Sequence, residues 1–423
     1  MFVYVINKHG KPLMPTNPRK ARLLLKQGRA RIVKRTPFTI RLLYGSSGYT
    51  QPISLGVDAG SKTIGLSATT EKEVLFEAEA TPRNDIVGLL ATRRQFRRSR
   101  RNRKTRYRKA RFLNRKKKEG WLAPSVENKI KTHLKAVALI HAILPIAKTV
   151  VEVAQFDIQK IKNPNIQNKE YQQGSQLGFG NVREYVLWRD GHKCQGRKGC
   201  NNSILNVHHI ESRKTGGDAP NNLITLCEDC HSNHHKGTLT LNIKRGQPFR
   251  DTAFMGIMRW ALYDKLKALY KNVCLTYGYL TKHTRIQSGL EKSHLVDARC
   301  ISGNPLAAST SIAHYLKQVR GQNRQLHKAN PKKGKRQANK APRYVHGFQL
   351  FDRVLFDGKE CFVFGRRSSG YFDLRKLGGV KVSASASVKK LRLLEMANTL
   401  LIERGDAASS PRLKAGVSAA GSG

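Results

Sequence analysis

The chain has 423 residues, and its 79 Lys plus Arg against 28 Asp plus Glu give a formal net charge of +51. So large an excess repels itself in any compact fold that lacks a polyanion, which argues against a protein working apart from nucleic acid and points to two to four small domains around more than one strand. The longest apolar region, 134–156, is broken by Lys135, His141, Pro145, Lys148 and Glu152, which excludes a membrane span, and MFVYVINKHG lacks the apolar run of a secretory signal, so a cytoplasmic protein is expected.

In chain order, VYVI and RIVKRTPFTIRLL read as strands around a basic helical stretch, RKARLLLKQG, that ends at Gly28, giving a small αβ module over 1–50. Residues 51–90 follow with ISLGVDAGSKTIGLSATT, which predicts a hairpin, and EVLFEAEA, a further strand. Residues 91–120 hold the run Arg93 to Lys118, with 16 basic residues in 26 and no acid. Like charges at i,i+4 oppose a helix there, so it orders only where phosphates surround it; otherwise it is a disordered basic arm. Over 121–162, Leu134 to Ile146 reads as an amphipathic helix and KTVVEVAQFDI as a buried strand carrying Glu152.

Residues 163–180, rich in Asn, Gln and Gly, read as a linker into an inserted domain at 181–240. The chain returns over 241–320 through the helix-forming DTAFMGIMRWALYDKLKALY, then crosses a basic linker at 321–343. The strands and DG, GRRSSG and LGG turns of 344–405 predict a small β-barrel or curled sheet, and 406–423 reads as a disordered tail.

Four of the seven cysteines, Cys194, Cys200, Cys227 and Cys230, fall in one histidine-rich stretch, which reads as metal and not disulfide. Cys227-x-x-Cys230 is half of a structural Zn²⁺ site, while the five residues between Cys194 and Cys200 depart from the usual two and leave the other half open. The stretch KCQGRKGCNNSILNVHHIESRKTGGDAPNNLITLCEDCHSNHHKG resembles the HNH, or ββα-metal, nuclease motif. That resemblance implies His209 as general base, His208 and His231 as ligands of one Mg²⁺, and Asn222 as the group that orients His209 or its loop. His235, four residues beyond His231 on the same helical face, is a candidate third ligand. Asn233 is the alternative, although its side chain points about 160° away.

On either side of that unit, ISLGVDAGSKTIG, TVVEVAQFD and EKSHLVDARCIS resemble the three segments of a RuvC nuclease domain of ribonuclease H-like fold. The matching acids are Asp58, Glu152 and Asp297, which would share two Mg²⁺ about 4 Å apart, with His294 assisting as proton donor or acceptor. Any one of these acids alone reads equally as a turn or strand-end residue.

The order of parts, with PLMP at Pro12 to Pro15, the arginine-rich run and a split RuvC domain around HNH, resembles the IscB family of transposon-encoded RNA-guided nucleases over about residues 1–320. The fold this implies is multidomain α/β: a split ribonuclease H-like domain, an inserted HNH domain, an arginine-rich bridge helix and a C-terminal β-module. A large structured guide RNA would lie on Arg93, Arg94, Arg97, Arg98, Arg100, Arg101, Arg103, Arg106, Arg108 and Arg111. HNH would cut the guide-paired strand of a DNA duplex, RuvC the displaced strand, in a monomeric ribonucleoprotein. The β-module would read a flanking DNA motif, with Arg366 and Arg367 as candidate readers. The alternatives are an unguided nuclease and a catalytically idle RNA-binding protein.

Overall fold

The computed structural model describes residues 2–46, 48–101, 120–153, 179, 181–197, 199–211, 220–241, 250–309, 312–320, 327–329, 336–338 and 342–406. Residues 1–154 with 257–423 form one compact unit and residues 155–256 a second.

The first unit begins with β1 (Val3–Ile6), β2 (Pro12–Thr16), α1 (Pro18–Lys26), β3 (Ala30–Lys34) and β4 (Thr39–Leu42), a four-stranded sheet of order β2-β1-β4-β3. The helix starts where the sequence provides for it. Asn17 Oδ1 accepts the Lys20 N–H at 2.8 Å, and Pro18 takes the first turn, where its missing N–H costs nothing. Ala21 and Leu24 are the buried side of α1 and close over Val3, Val5 and Ile40.

Next come β5 (Ile53–Asp58), β6 (Ile64–Thr69), β7 (Val74–Thr81), α2 (Ile86–Arg101), α3 (Pro124–His141) and β8 (Ile146–Val153). The expected hairpin is β5 paired antiparallel with β6. The helix expected at 134–146 lies instead at Pro124–His141: Pro124 opens it, and a cap at Ala142 followed by Pro145 turns the chain into β8. The second half of the arginine run, with Arg103, Arg106, Arg108 and Arg111, and the linker expected at 163–180 lie outside the described residues apart from Phe179, as does the tail beyond Asp406.

The second unit holds α4 (Val182–Arg189), the antiparallel pair β9 (Leu205–His209) and β10 (Leu223–Cys227), and α5 (Glu228–His235). Of α6 (Arg250–Leu269), the part from Ile257 onward belongs to the first unit. The first unit resumes there and continues with β11 (Val273–Tyr277), α7 (Gly278–Gln287), α8 (His294–Ser302), β12 (Ile312–Gln318) and the short pair β13 (His327–Ala329) and β14 (Arg336–Ala338). The last strands are β15 (Arg353–Phe356), β16 (Lys359–Arg366), β17 (Tyr371–Arg375), β18 (Lys381–Ser387), β19 (Arg392–Glu395) and β20 (Leu400–Asp406).

The central sheet has order β11-β8-β5-β6-β7-β12-β20. Strands β5, β6 and β7 run antiparallel to their neighbours within the trio, while β8 and β11 add parallel to β5. Ile53, Leu55, Val57, Ile64, Leu66 and Ala68 are fully buried, as expected of central strands covered on both faces. Helix α8 approaches this sheet closely because of two glycines. A Cβ at Gly56 would lie 1.9 Å from the Ala298 carbonyl oxygen, and one at Gly65 would lie 2.0 Å from that of His294. No side chain fits at either position, so Gly56 and Gly65 set the height of α8 above β5 and β6.

Strands β15 to β19 form a separate antiparallel sheet of open order β18-β17-β16-β15-β19 around Val354, Val363, Phe372 and Leu374. The β-module expected over 344–405 is therefore shorter than the sequence indicated. Its last strand, β20, leaves it and pairs with β12 along Ile312↔Asp406 to Gln318↔Leu400, covering what would otherwise be an open edge. No helix among the described residues is long and apolar enough to cross a membrane.

Candidate active sites

Two groups of metal-type ligands occupy the second unit. The Sγ atoms of Cys194, Cys200, Cys227 and Cys230 lie within 4.8 Å of one another, and so do ring nitrogens of His208, His231 and His235. The unusual Cys194 to Cys200 spacing closes because the chain folds tightly at Gly196, whose N–H donates to Cys194 Sγ at 3.4 Å. A Cβ there would come within 3.0 Å of Cys230 Cβ. Cys227 also caps α5, its Sγ accepting the Cys230 N–H. Four thiols at this spacing fit a tetrahedral zinc ion. Replacement of Cys227 by serine is expected to remove the zinc and unfold the second unit, since binding free energy at such sites is folding free energy. Metal analysis together with far-ultraviolet circular dichroism of the purified variant checks both; full retention of zinc and helix content contradicts the assignment.

The histidines are brought together by β9 and α5. His208 is buried opposite Ile224, and its ring centroid lies 5.0 Å from His231 and 5.2 Å from His235. His234, a residue the motif did not single out, also approaches His208 at 4.9 Å, while its Nδ1 is bonded to the Leu239 carbonyl. Asn233 faces elsewhere, its Oδ1 accepting from the Thr238 hydroxyl. Burial, then the neighbouring His231, His234, His235 and His209, push His208 down to about 4, so its ring is neutral at pH 7 and able to bind a cation. Asn222 is fully buried: its side-chain oxygen accepts the Glu211 N–H at 2.9 Å, its amide donates to the Glu211 carbonyl at 3.0 Å, and its own carbonyl accepts the Ile210 N–H. It thereby clamps the chain just after His209.

A second site lies in the first unit at the carboxyl ends of the central strands. The parallel register Val57↔Val151 sets Asp58 on β5 beside Glu152 on β8, and both are buried. Helix α8 brings His294 and, three residues on, Asp297. His294 Nδ1 donates to Asp58 Oδ2 at 2.7 Å, which raises its pKa. Glu152 is raised by burial, against the pull of Arg259 and with help from the charges of Asp58 and Asp297. Asp297 is raised by burial and then by Asp58, against Arg285. The three acids thus feel one another, and carboxylate oxygens are the ligands that hard divalent cations prefer.

Two arginines complete this site, and the motifs did not reveal them. Arg259 Nη1 lies 2.9 Å from Glu152 Oε1 while its Nε donates to the Ala59 carbonyl at 2.8 Å. Arg285 Nε lies 3.0 Å from Asp297 Oδ1, close enough for an ion pair though not aligned as a hydrogen bond. The signal for Arg259 was present as a lone cation inside the apolar stretch FMGIMRWAL. Arg259→Ala is expected to destabilise the first unit by about 3–5 kcal/mol near neutral pH, because Glu152 is left as an unpaired buried charge. The sign follows from the raised Glu152 pKa: protonation relieves that charge, so the loss shrinks as pH falls through it. Melting temperatures of parent and variant at two pH values check this, and a gap that widens in acid contradicts it.

Of the arginines expected to hold RNA, Arg93, Arg94, Arg97 and Arg98 lie on α2, whose helix also includes Arg100 and Arg101. In the β-module, Arg366 ends β16 half-buried, with its guanidinium donating to the Arg343 carbonyl, whereas Arg367 lies exposed in the following turn and bonds Ser385 Oγ at 2.9 Å. A turn holding both was expected; the strand runs one residue further and ties Arg366 down.

Residues 3–174 match the family model described as RRXRR protein, and Arg97 to Arg101 read Arg-Arg-Ser-Arg-Arg. Residues 193–237, which hold all four cysteines and the histidine group, match the model described as HNH endonuclease. Anaredoxin of Nostoc sp. (strain PCC 7120 / SAG 25.82 / UTEX 2576) is 44% identical over 45 residues, which is 10% of this chain and 59% of that protein. Among solved structures, Streptococcus thermophilus Cas9 in complex with the GGAA PAM is 17% identical at a TM-score of 0.33, over 50% of this chain and 30% of that one. The Type II-C Cas9 of Actinomyces naeslundii is 11% identical at a TM-score of 0.24, over 60% of each chain. At such TM-scores these two likenesses carry no weight. By these matches the chain carries an RRXRR-type N-terminal segment followed by an HNH endonuclease module, the latter the hallmark of a DNA-cleaving hydrolase.

Proposed function

We propose that the chain is an RNA-guided endonuclease for double-stranded DNA, with the histidine site cutting the guide-paired strand and the carboxylate site cutting the displaced strand. The observation that supports this reading is the presence, in one chain, of three clustered imidazoles fit for a cation and of three mutually interacting acids with His294 bonded to Asp58. The order β7-β6-β5-β8-β11, three antiparallel strands followed by two parallel ones, supports a ribonuclease H-like fold for the first unit.

At the histidine site, His208, His231 and His235 would hold one divalent cation, which supplies Lewis-acid stabilisation of the leaving oxygen. His209 takes the proton of the attacking water, and Asn222 fixes the backbone that carries it. At the carboxylate site, Asp58, Glu152 and Asp297 would hold Mg²⁺. Because Asp58 accepts from Nδ1 of His294, the other ring nitrogen is left to exchange a proton with the reacting oxygens. The arginines of α2, with those that follow in the sequence, supply cations for the guide RNA.

The test is to purify the full chain, sequence the RNA that accompanies it, and assay cleavage of a duplex matching that RNA with each strand labelled separately. Cutting that requires both RNA and match supports the reading; equal cutting after ribonuclease treatment favours an unguided nuclease.

A further inference from the structure

A cavity of about 600 Å³, lined by none of the candidate site residues, opens in the first unit where the N-terminal sheet, strands β7 and β12, and strand β16 meet. Its interior is aromatic. Phe76 and His314 stack face to face with centroids 4.7 Å apart and planes 10° from parallel, Tyr4 meets Phe76 edge-on at 6.0 Å, and Phe362 is buried close by. The buried Glu77 and Arg353 share the wall, and His314 Nδ1 is buried without a well-aligned hydrogen-bond partner among the described residues. A buried unbonded nitrogen is costly, and at a cavity wall its natural complement is a ligand donor or acceptor.

The surroundings are cationic. Arg35, Lys359, Lys376 and Arg404 line the cavity, Lys359 and Arg404 exposed; the carboxylates there include Glu360, paired with Arg35 at 2.6 Å, and Glu403, paired with Lys376 at 3.3 Å. Burial holds the His314 ring at about 4, against a backbone interaction at Glu77 and with the nearby Arg404, Arg353 and Lys34, hence neutral at pH 7. A neutral imidazole has one donor and one acceptor nitrogen, and the one not facing the Glu77 backbone can serve an uncharged planar ligand. Rings inside and cations outside are the two halves of single-strand recognition: bases stack on aromatic side chains while phosphates follow the positive charge. With a net charge of +51, the chain has nucleic acid as its natural counterion.

We propose that this cavity takes up one unstacked nucleobase of a bound strand, with the base against the Tyr4, Phe76 and His314 rings and its phosphate at the Lys359 and Arg404 mouth. The inference rests on the reading of the chain as a nucleic-acid-bound protein but not on either cleavage site. An RNA strand and a displaced DNA strand present the same chemistry here, and the test separates them.

The full chain is purified with its nucleic acid, assembled on a matching DNA duplex, irradiated with short-wave ultraviolet light, digested with protease and nuclease, and analysed by mass spectrometry. Nucleotide adducts are expected on the peptides carrying Tyr4, Phe76 or His314, and the adduct mass tells ribonucleotide from deoxyribonucleotide. Ile312→Trp, which fills the cavity from β12, is expected to lower their yield about tenfold or more, the scale of a lost base stack, while adducts elsewhere persist. Lys359→Glu, an exposed change that leaves the rings intact, should lower the yield in the same direction if the first variant does not fold. Adducts confined to other peptides, or a yield untouched by Lys359→Glu, overturn the cavity assignment alone. Protein that carries no nucleic acid at all overturns the reading beneath it.

Discussion

His209→Ala is expected to slow cleavage of the guide-paired strand by about 10²–10⁴-fold, the usual worth of a positioned general base, while the displaced strand is still nicked at the parent rate. The substitution leaves His208, His231 and His235 in place, so cation binding by the second unit should survive it. It also leaves the Asn222 clamp on the backbone of residues 210 and 211. A strand-resolved assay gives the answer directly. A His209→Ala protein that cuts both strands at parental rates removes His209 from the chemistry.

The mirror experiment is Asp58→Ala. Three interactions meet at Asp58: the hydrogen bond from His294, the electrostatic coupling to Glu152 and Asp297, and the proposed cations. Its loss should abolish nicking of the displaced strand, by about 10³-fold or more if both cation binding and the orientation of His294 fail together. Guide-paired strand cleavage should be unchanged. The pKa of His294 should fall as well, because its largest raising influence is the bond to Asp58. Titration of His294 by NMR thus gives a second readout, one that does not depend on activity. Unaltered displaced-strand nicking together with an unaltered His294 titration would exclude the carboxylate site.

Much of this protein was legible without coordinates, for a physical reason. Chemistry that depends on ligand type and local spacing is written locally. Cys227-x-x-Cys230, the pair His208 and His209, and the helical i,i+4 relation of His231 to His235 place their atoms within a few residues of one another, so part of each cluster in the second unit follows from sequence and secondary structure. The β5–β6 hairpin and the helix carrying His294 and Asp297 were readable from apolar alternation and helical period in the same way.

Other features were readable only after folding. Cys194 and Cys200 meet Cys227 and Cys230 because the backbone at Gly196 passes close to Cys230, where an added Cβ would lie 3.0 Å from Cys230 Cβ. Arg259 and Arg285 reach Glu152 and Asp297 from helices whose docking is not encoded in any short motif. Strand β20 joins the central sheet and not its sequence neighbours, since an open edge at β12 accepts any strand of suitable length and alternation. The sequence by itself determined the ligand types, the order of the segments and the charge that calls for nucleic acid. Tertiary structure decided which distant residues share a site, because such contacts depend on the close approach of whole elements, which Gly56 and Gly65 permit and no local pattern specifies.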